Sequence, residues 1–174
     1  IFMSQLIIVE SPAKAKKIQS FLKDRNVTVH SSFGHINNLD TTKLNDMISN
    51  NFTPIYKTTN PKAIKILKSV KASDVILAAD DDREGDAIAW HCGNLFKLDY
   101  SQNNRIKFNE ISKRAIIHAL DNPERLDLNS VKAQQCRQFI DLMIGFKISP
   151  LLWRHVKTDK RGLSAGRVQS CLLN

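Results

Sequence analysis

The chain has 174 residues, 42% of them hydrophobic and 25% charged, the balance of a folded globular protein able to bury about 70% of its unfolded surface. Its longest apolar runs, Leu6-Ile7-Ile8-Val9 and Val75-Ile76-Leu77-Ala78-Ala79, fall far short of the roughly 20 residues a membrane helix needs, and the first residues lack a secretory pattern, so the expectation is a cytoplasmic protein without membrane contact. Cys92, Cys136 and Cys171 are odd in number and far apart, against a disulfide framework or a zinc knuckle, and a net charge of +9 with pI near 9.6 fits either a polyanionic partner or a solvated basic surface.

In chain order, Leu6 to Val9 is a short β-branched run with the pattern of a strand buried on both faces. Ser11-Pro12 supply an N-cap and a first helical residue, and Ala15, Ile18, Phe21 and Leu22 follow at helical spacing. Val27 to Ser32 reads as a second strand, and Gly34-His35 opens an Asn- and Thr-rich stretch, expected to be irregular as far as about Thr59. Pro61 begins a helix with Ile64, Leu67 and Val70 on one face, leading into a strand from Asp74 to Ala79. After the turn Asp80 to Glu84, Ala87, Ile88, His91 and Leu95 mark a third helix. Arg105 to Asn109 is expected as a fourth strand, and Ser112 caps a helix carrying Ala115, Ile116, Ala119 and Leu120.

Strands alternating with helices imply an α/β fold with a mainly parallel sheet. Beyond Asn122-Pro123 the pattern is helical alone: Ser130 as cap, then Ala133, Cys136, Ile140, Met143 and Ile144, with Gly145 as the stop. The expected division is therefore 3–126 and 127–174. Five of the nine excess positive charges fall in the last 48 residues. At the end, Val168, Cys171 and Leu172 begin a helical stripe that reaches Asn174 without a Gly or Pro stop, which reads as a helical domain cut short.

Asp80-Asp81-Asp82-Arg83-Glu84-Gly85 lies where a buried strand passes into a helix, the carboxyl edge at which parallel sheets bind ligands. Two carboxylates about 4 Å apart repel by about 4 kcal/mol at an effective dielectric of 20, so a cation is called for. Oxygen donors at i, i+2 and i+4, without thiolate or paired histidine, suit Mg²⁺, with Mn²⁺ as a substitute. The plainer reading is a solvated turn whose acids favour the positive end of the next helix. Glu10 also closes a buried strand, which lets four acidic side chains converge on one edge. Lys14 nearby suits phosphodiester chemistry, the lysine neutralising phosphate while a carboxylate handles a proton or a metal. Neither G-x-x-x-x-G-K-[ST] nor G-x-G-x-x-G occurs, so nucleotide cradles have no support.

Six segments in order, V-E-S-P-A-K-A-K-K-I (9–18), G-H-I (34–36), A-D-D-D-R-E-G-D-A-I-A-W-H (79–91), F-N-E-I (108–111), S-P-L-L-W (149–153) and R-G-L-S-A-G-R-V-Q-S (161–170), closely resemble the amino-terminal part of type IA DNA topoisomerases. The resemblance implies a Toprim domain, a four-stranded mainly parallel sheet between helices, followed by the start of a helical domain that binds single-stranded DNA. It implies a Mg²⁺ site of Asp80, Asp82 and Glu84 with Glu10 near the metal and suited to proton transfer, and Lys14 and Arg83 on the scissile phosphate. His35, Gln138, Phe139, Asp141, Arg154 and the run Ser164, Ala165, Gly166, Arg167, Val168, Gln169 would contact DNA.

The sequence departs from the family at Gln138 and Leu142, where arginine is frequent, and at Phe146, where tyrosine is common; losing two cations weakens phosphate attraction. The resemblance further implies an ATP-independent transesterification that relaxes negatively supercoiled DNA through a tyrosine in a later domain. Tyr56 and Tyr100, the two tyrosines here, lie in none of the motifs, so this chain alone is expected to be inactive without the rest of its parent. A Toprim nuclease or primase, a non-catalytic DNA-binding module and a receiver-type phosphoacceptor are the alternatives.

Overall fold

The computed structural model describes residues 4–156 and 162–166. The chain forms two compact units: the stretch up to Asn38 with Lys57–Gln134, and Leu39–Tyr56 with the chain from Gln135 on.

In the first unit, β1 (Gln5–Val9) is the central strand, paired in parallel with β2 (Val27–Ser31) on one side and β5 (Asp74–Leu77) on the other. Its alternate side chains enter two separate layers, which is why the run carries no polar residue. Leu6 and Ile8 pack with α3 (Pro61–Ser69) and α4 (Arg83–Phe96) through Leu67, Ile88 and Cys92. Ile7 and Val9 pack on the other side with α1 (Pro12–Phe21) and α5 (Lys113–Asp121) through Ile18, Ile116 and Ala119. Ser11 and Ser112 cap their helices as expected, and Asn60 and Asp82 do so as well; each accepts a backbone N–H of the first turn, and Pro follows directly at α1 and α3.

The expected fourth strand is reduced to a bridge. Arg105 bridges in parallel to Leu77 and, on its other side, to Glu124, with Ile106 N donating to the Leu77 carbonyl at 2.9 Å. Pairing ends there because β5 ends at Leu77, and the carbonyls after it, those of Ala79 and Asp80, are taken by the Arg105 side chain. The sheet among the described residues therefore has three strands in the order β2-β1-β5.

The stretch expected to be irregular is ordered. β3 (Asn37–Leu39) pairs with β4 (Tyr56–Thr58), and between them stand a 3₁₀ turn (Thr41–Lys43) capped by Asp40 and the short α2 (Leu44–Ser49). Strands of three residues and a six-residue helix are too short to leave a periodic signal. In the second unit Leu39, Leu44 and Met47 pack with Phe139 as a small core.

Helix α6 (Leu128–His155) differs from expectation at both ends. Asp127, rather than Ser130, accepts the first N–H groups, those of Asn129 and Ser130, at 2.9 and 3.2 Å. It continues past Gly145 and through Pro150, a position that forgoes one i→i−4 bond. Of the anticipated inward stripe, Ala133, Cys136 and Ile140 are exposed, whereas Val131, Gln134 and Phe139 are buried. No helix among the described residues is long and apolar enough to cross a membrane. The stripe from Val168 to Leu172 lies outside the described residues.

Candidate active site at the carboxyl edge of the sheet

The register that sets Ile8 beside Leu77 brings the chain leaving β1 next to the chain leaving β5. Ala78 N donates to the Ile8 carbonyl at 2.7 Å, so Glu10 and Asp80 emerge from adjacent strands. Ser11 starts α1 immediately, and its first turn carries Lys14 back over Glu10: Lys14 Nζ lies 2.6 Å from Glu10 Oε1 and also contacts Asp80 Oδ1. The ammonium thus bridges the two strand ends.

Glu10 and Asp80 also share a hydrogen bond. Burial, then that bond, push the Glu10 carboxyl up, against the opposing pull of Lys14. At Asp80 burial also raises the value, but hydrogen bonds from Glu10 and Lys14 and the charges of Lys14 and Arg105 outweigh it and hold the group below the usual carboxylate range. The two carboxyls are therefore pushed in opposite directions, Glu10 up and Asp80 down, so that of the two Glu10 is the easier to protonate. Lys14 is itself held more firmly protonated: burial would lower its value, and its bonds to Asp80 and Glu10 overcome this.

The other acids of the turn face different partners. Asp82 caps α4, its Oδ1 accepting Gly85 N at 2.6 Å. Glu84 Oε2 lies 3.2 Å from His35 Nε2 and accepts from Gln134 Nε2 at 3.1 Å. Asp81 pairs with Lys107 at 3.0 Å, and Lys107 with Glu124 at 3.2 Å. Arg83 is exposed at the head of α4. His91, buried on α4, stacks edge-on against Trp90 and His35, and burial with the proximity of His35 brings it down to about 4. A cleft of about 400 Å³ opens beside the dyad, lined by Lys14, Asp80, Asp81 and residues Phe108 to Ile111.

Glu10, Lys14 and Asp80 are thus in mutual contact, and His35 reaches Glu84 across the same edge. Among the described residues no group of three or more His, Cys, Asp or Glu is arranged to hold a metal ion, because Asp82 and Glu84 each turn toward a protein donor. In chemical kind the donors fit a hard divalent cation: they are carboxylate oxygens without a competing thiolate.

In the second unit, Phe139 is 7% exposed in the core and meets Phe52 edge-on at 5.6 Å. Gln138 is half-buried, and Asp141 and Arg154 are exposed. Asp141 lines a cleft of about 360 Å³ with Leu142, Phe146 and Trp153. Ala165 N donates to Ser149 Oγ at 3.0 Å, with Ser164 and Gly166 on either side; Arg167, Val168 and Gln169 lie outside the described residues. Tyr100 is committed to the fold, its hydroxyl donating toward the Trp90 carbonyl and Asn94 Oδ1, each at 2.8 Å.

Sequence reasoning missed five residues of this edge. Gln134 and Lys107 carry no sequence signal. Gly85 has nowhere to place a Cβ, which would fall 2.1 Å from the Asp80 carbonyl oxygen. Asp86 and Arg105 form a buried pair, and the acid had a detectable signature: it is followed directly by the apolar run Ala87-Ile88-Ala89, a buried turn of the helix where an unpaired charge is untenable.

Known proteins resemble the chain along most of its length. The Toprim domain family matches residues 5–111, and the DNA topoisomerase family matches residues 125–174. The chain belongs to the Toprim family, and the DNA topoisomerase match follows it directly along the sequence. It is similar to the full-length topoisomerase I of Thermotoga maritima, with 39% identity and a TM-score of 0.82 over 97% of this chain, and it spans 29% of that enzyme's length.

Proposed function

We propose that this chain is the metal- and phosphate-binding part of a DNA topoisomerase that relaxes negatively supercoiled DNA, cutting and resealing one strand without ATP, in the cytoplasm. The observation that carries the reading is the junction of Glu10, Lys14 and Asp80 at one sheet edge. Asp80, Asp82 and Glu84, with Glu10, would hold Mg²⁺ or Mn²⁺, which when bound supplies electrostatic stabilisation of phosphoryl oxygens. Glu10 is suited to proton transfer, and Lys14 and Arg83 neutralise the scissile phosphate. His35, Gln138, Asp141, Arg154 and Ser164 to Gln169 extend the grip along single-stranded DNA, with Phe139 supporting that surface from the core. The helical DNA-binding domain begins at 127, and the attacking tyrosine belongs to the remaining domains of the parent, so this chain alone does not relax DNA.

Calorimetric titration with Mn²⁺ tests the metal assignment. Asp82→Asn keeps a capping side chain and removes a charge, so it should weaken binding by more than Asp81→Asn. Equal effects would overturn the ligand set. Absence of divalent affinity, with DNA binding unchanged in Asp80→Ala, would favour a non-catalytic DNA-binding module, a reading in line with the protein partners that Asp81, Asp82 and Glu84 already have.

A further inference from the structure

Arg105 is completely buried, and its guanidinium spends all its donors on one small region. Nη1 donates to the carbonyls of Ala79 and Ile106 at 2.7 and 2.6 Å, and Nη2 to the carbonyl of Asp80 at 2.7 Å. Nε and Nη2 both reach Asp86 Oδ1 at 3.2 Å. Asp86, 3% exposed, comes from the first turn of α4. Ala79 and Asp80 lie past the end of β5, where no strand among the described residues pairs with them, and a buried carbonyl without a donor is costly. One side chain therefore binds both ends of the acidic turn: the two carbonyls that lead into it and the carboxylate just after it.

We propose that Arg105 is a positioning residue for the acidic turn, fixing the backbone of residues 79–86 from beneath so that the side chains of Asp80, Asp82 and Glu84 stand on the outer side of the sheet edge. It also places a buried positive charge directly under that turn, against the Asp80 carbonyl. Lysine cannot replace it, because three donors on a point charge do not span the fork that reaches two carbonyls and a carboxylate together. As far as it concerns metal affinity the proposal rests on the divalent-cation reading above; as far as it concerns the turn it does not.

The test compares Arg105→Lys and Asp86→Asn with Leu126→Ala, a cavity variant in the core of the same unit, using the whole chain at a temperature where each variant is folded. Two readouts are taken, amide hydrogen exchange in peptides covering 78–86 and Mn²⁺ affinity by titration. Arg105→Lys should accelerate exchange in that segment selectively and weaken Mn²⁺ binding by about tenfold or more, the usual effect of losing a group that orients metal ligands. Asp86→Asn, which leaves the guanidinium on its carbonyls, should act in the same direction with a smaller effect. Leu126→Ala should lower the melting temperature while leaving both readouts near wild type. The proposal is overturned if exchange at 78–86 in Arg105→Lys, or in Asp86→Asn should the first not fold, changes no more than in Leu126→Ala. If the wild-type chain binds no Mn²⁺, the metal reading fails and the exchange data alone decide the role of Arg105.

Discussion

Replacing Gly85 by alanine isolates the contact on which the acidic turn depends. A Cβ built there lies 2.1 Å from the Asp80 carbonyl oxygen, 2.8 Å from its carbon and 2.9 Å from its nitrogen. All three atoms are backbone, so no rotamer change relieves the clash. The turn must withdraw by about 1 Å, and overpacking of this kind costs about 1–3 kcal/mol. Alanine recovers about 1 kcal/mol of helix propensity over glycine, which leaves a net loss of up to roughly 2 kcal/mol and a fall in Tm of up to about 8 °C for a chain of this size. The same displacement moves Asp80 out of place relative to the other proposed ligands, Glu10, Asp82 and Glu84, so Mn²⁺ affinity should fall as well. Gly145 is the internal control: nothing lies within 4 Å of a Cβ there, and in the interior of α6 alanine should stabilise by about 0.5–1 kcal/mol. Differential scanning calorimetry of both variants checks the pair of opposite signs. A Gly85→Ala chain as stable as wild type, with unaltered Mn²⁺ affinity, refutes the reasoning.

Phe139→Ala should cost about 3–5 kcal/mol in the transition that reports on the second unit, because its ring packs with Leu39, Leu44 and Met47; a urea midpoint shift near zero would mean that the ring is not core. His91 is neutral in the fold, with its value lowered from 6.5 to about 4 by burial and by His35. The folded chain therefore binds fewer protons than the unfolded one between those values, so the stability that His91 contributes is present above pH 6.5 and is lost as the pH falls toward 4, by an amount on the order of 3 kcal/mol. Urea denaturation from pH 7 to pH 4 should show a smaller loss in His91→Gln than in wild type.

Much of the first unit was legible because its chemistry is local or periodic. A four-residue β-branched apolar run bounded by polar residues has the pattern of a strand covered on both sides, and Ser11-Pro12 and Pro61 announce helix starts. The meeting of Glu10 with Asp80 follows from the same logic, since both close buried strands of one parallel sheet. What stayed illegible depends on partners remote in sequence. Lys107 selects Asp81, and Gln134 selects Glu84, across separations that no periodicity encodes. The missing fourth strand has the same origin: Arg105 heads a β-like run, R-I-K-F, but its side chain captures the carbonyls that a ladder would have used. The end of α6 was misread because Gly and Pro shift a helix's energy by only about 1 and 3 kcal/mol, penalties that the remaining turns outweigh.

Charge repulsion within the acidic turn does not by itself demand a metal here, because Lys14 lies against two of the carboxylates and Arg105 beneath them. A divalent cation must displace an ammonium that already satisfies Glu10 and Asp80, so protein and metal compete for the same oxygens. Deleting the competitor gives two opposite expectations from one change. In Lys14→Met the two carboxylates lose their cation, and both shift upward in pKa because Lys14 lowers each of them; near neutral pH the site then holds uncompensated negative charge and should bind Mn²⁺ more tightly, by roughly tenfold for each 1.4 kcal/mol of repulsion relieved. Binding of a single-stranded oligonucleotide should weaken at the same time, and its salt dependence should become shallower by about one phosphate contact. Titration calorimetry and fluorescence anisotropy on the same preparation read both quantities. Weaker Mn²⁺ binding in Lys14→Met would show that the lysine supports the metal site rather than competing for it, and the reading of the Glu10, Lys14 and Asp80 junction as a cation exchange point would fall.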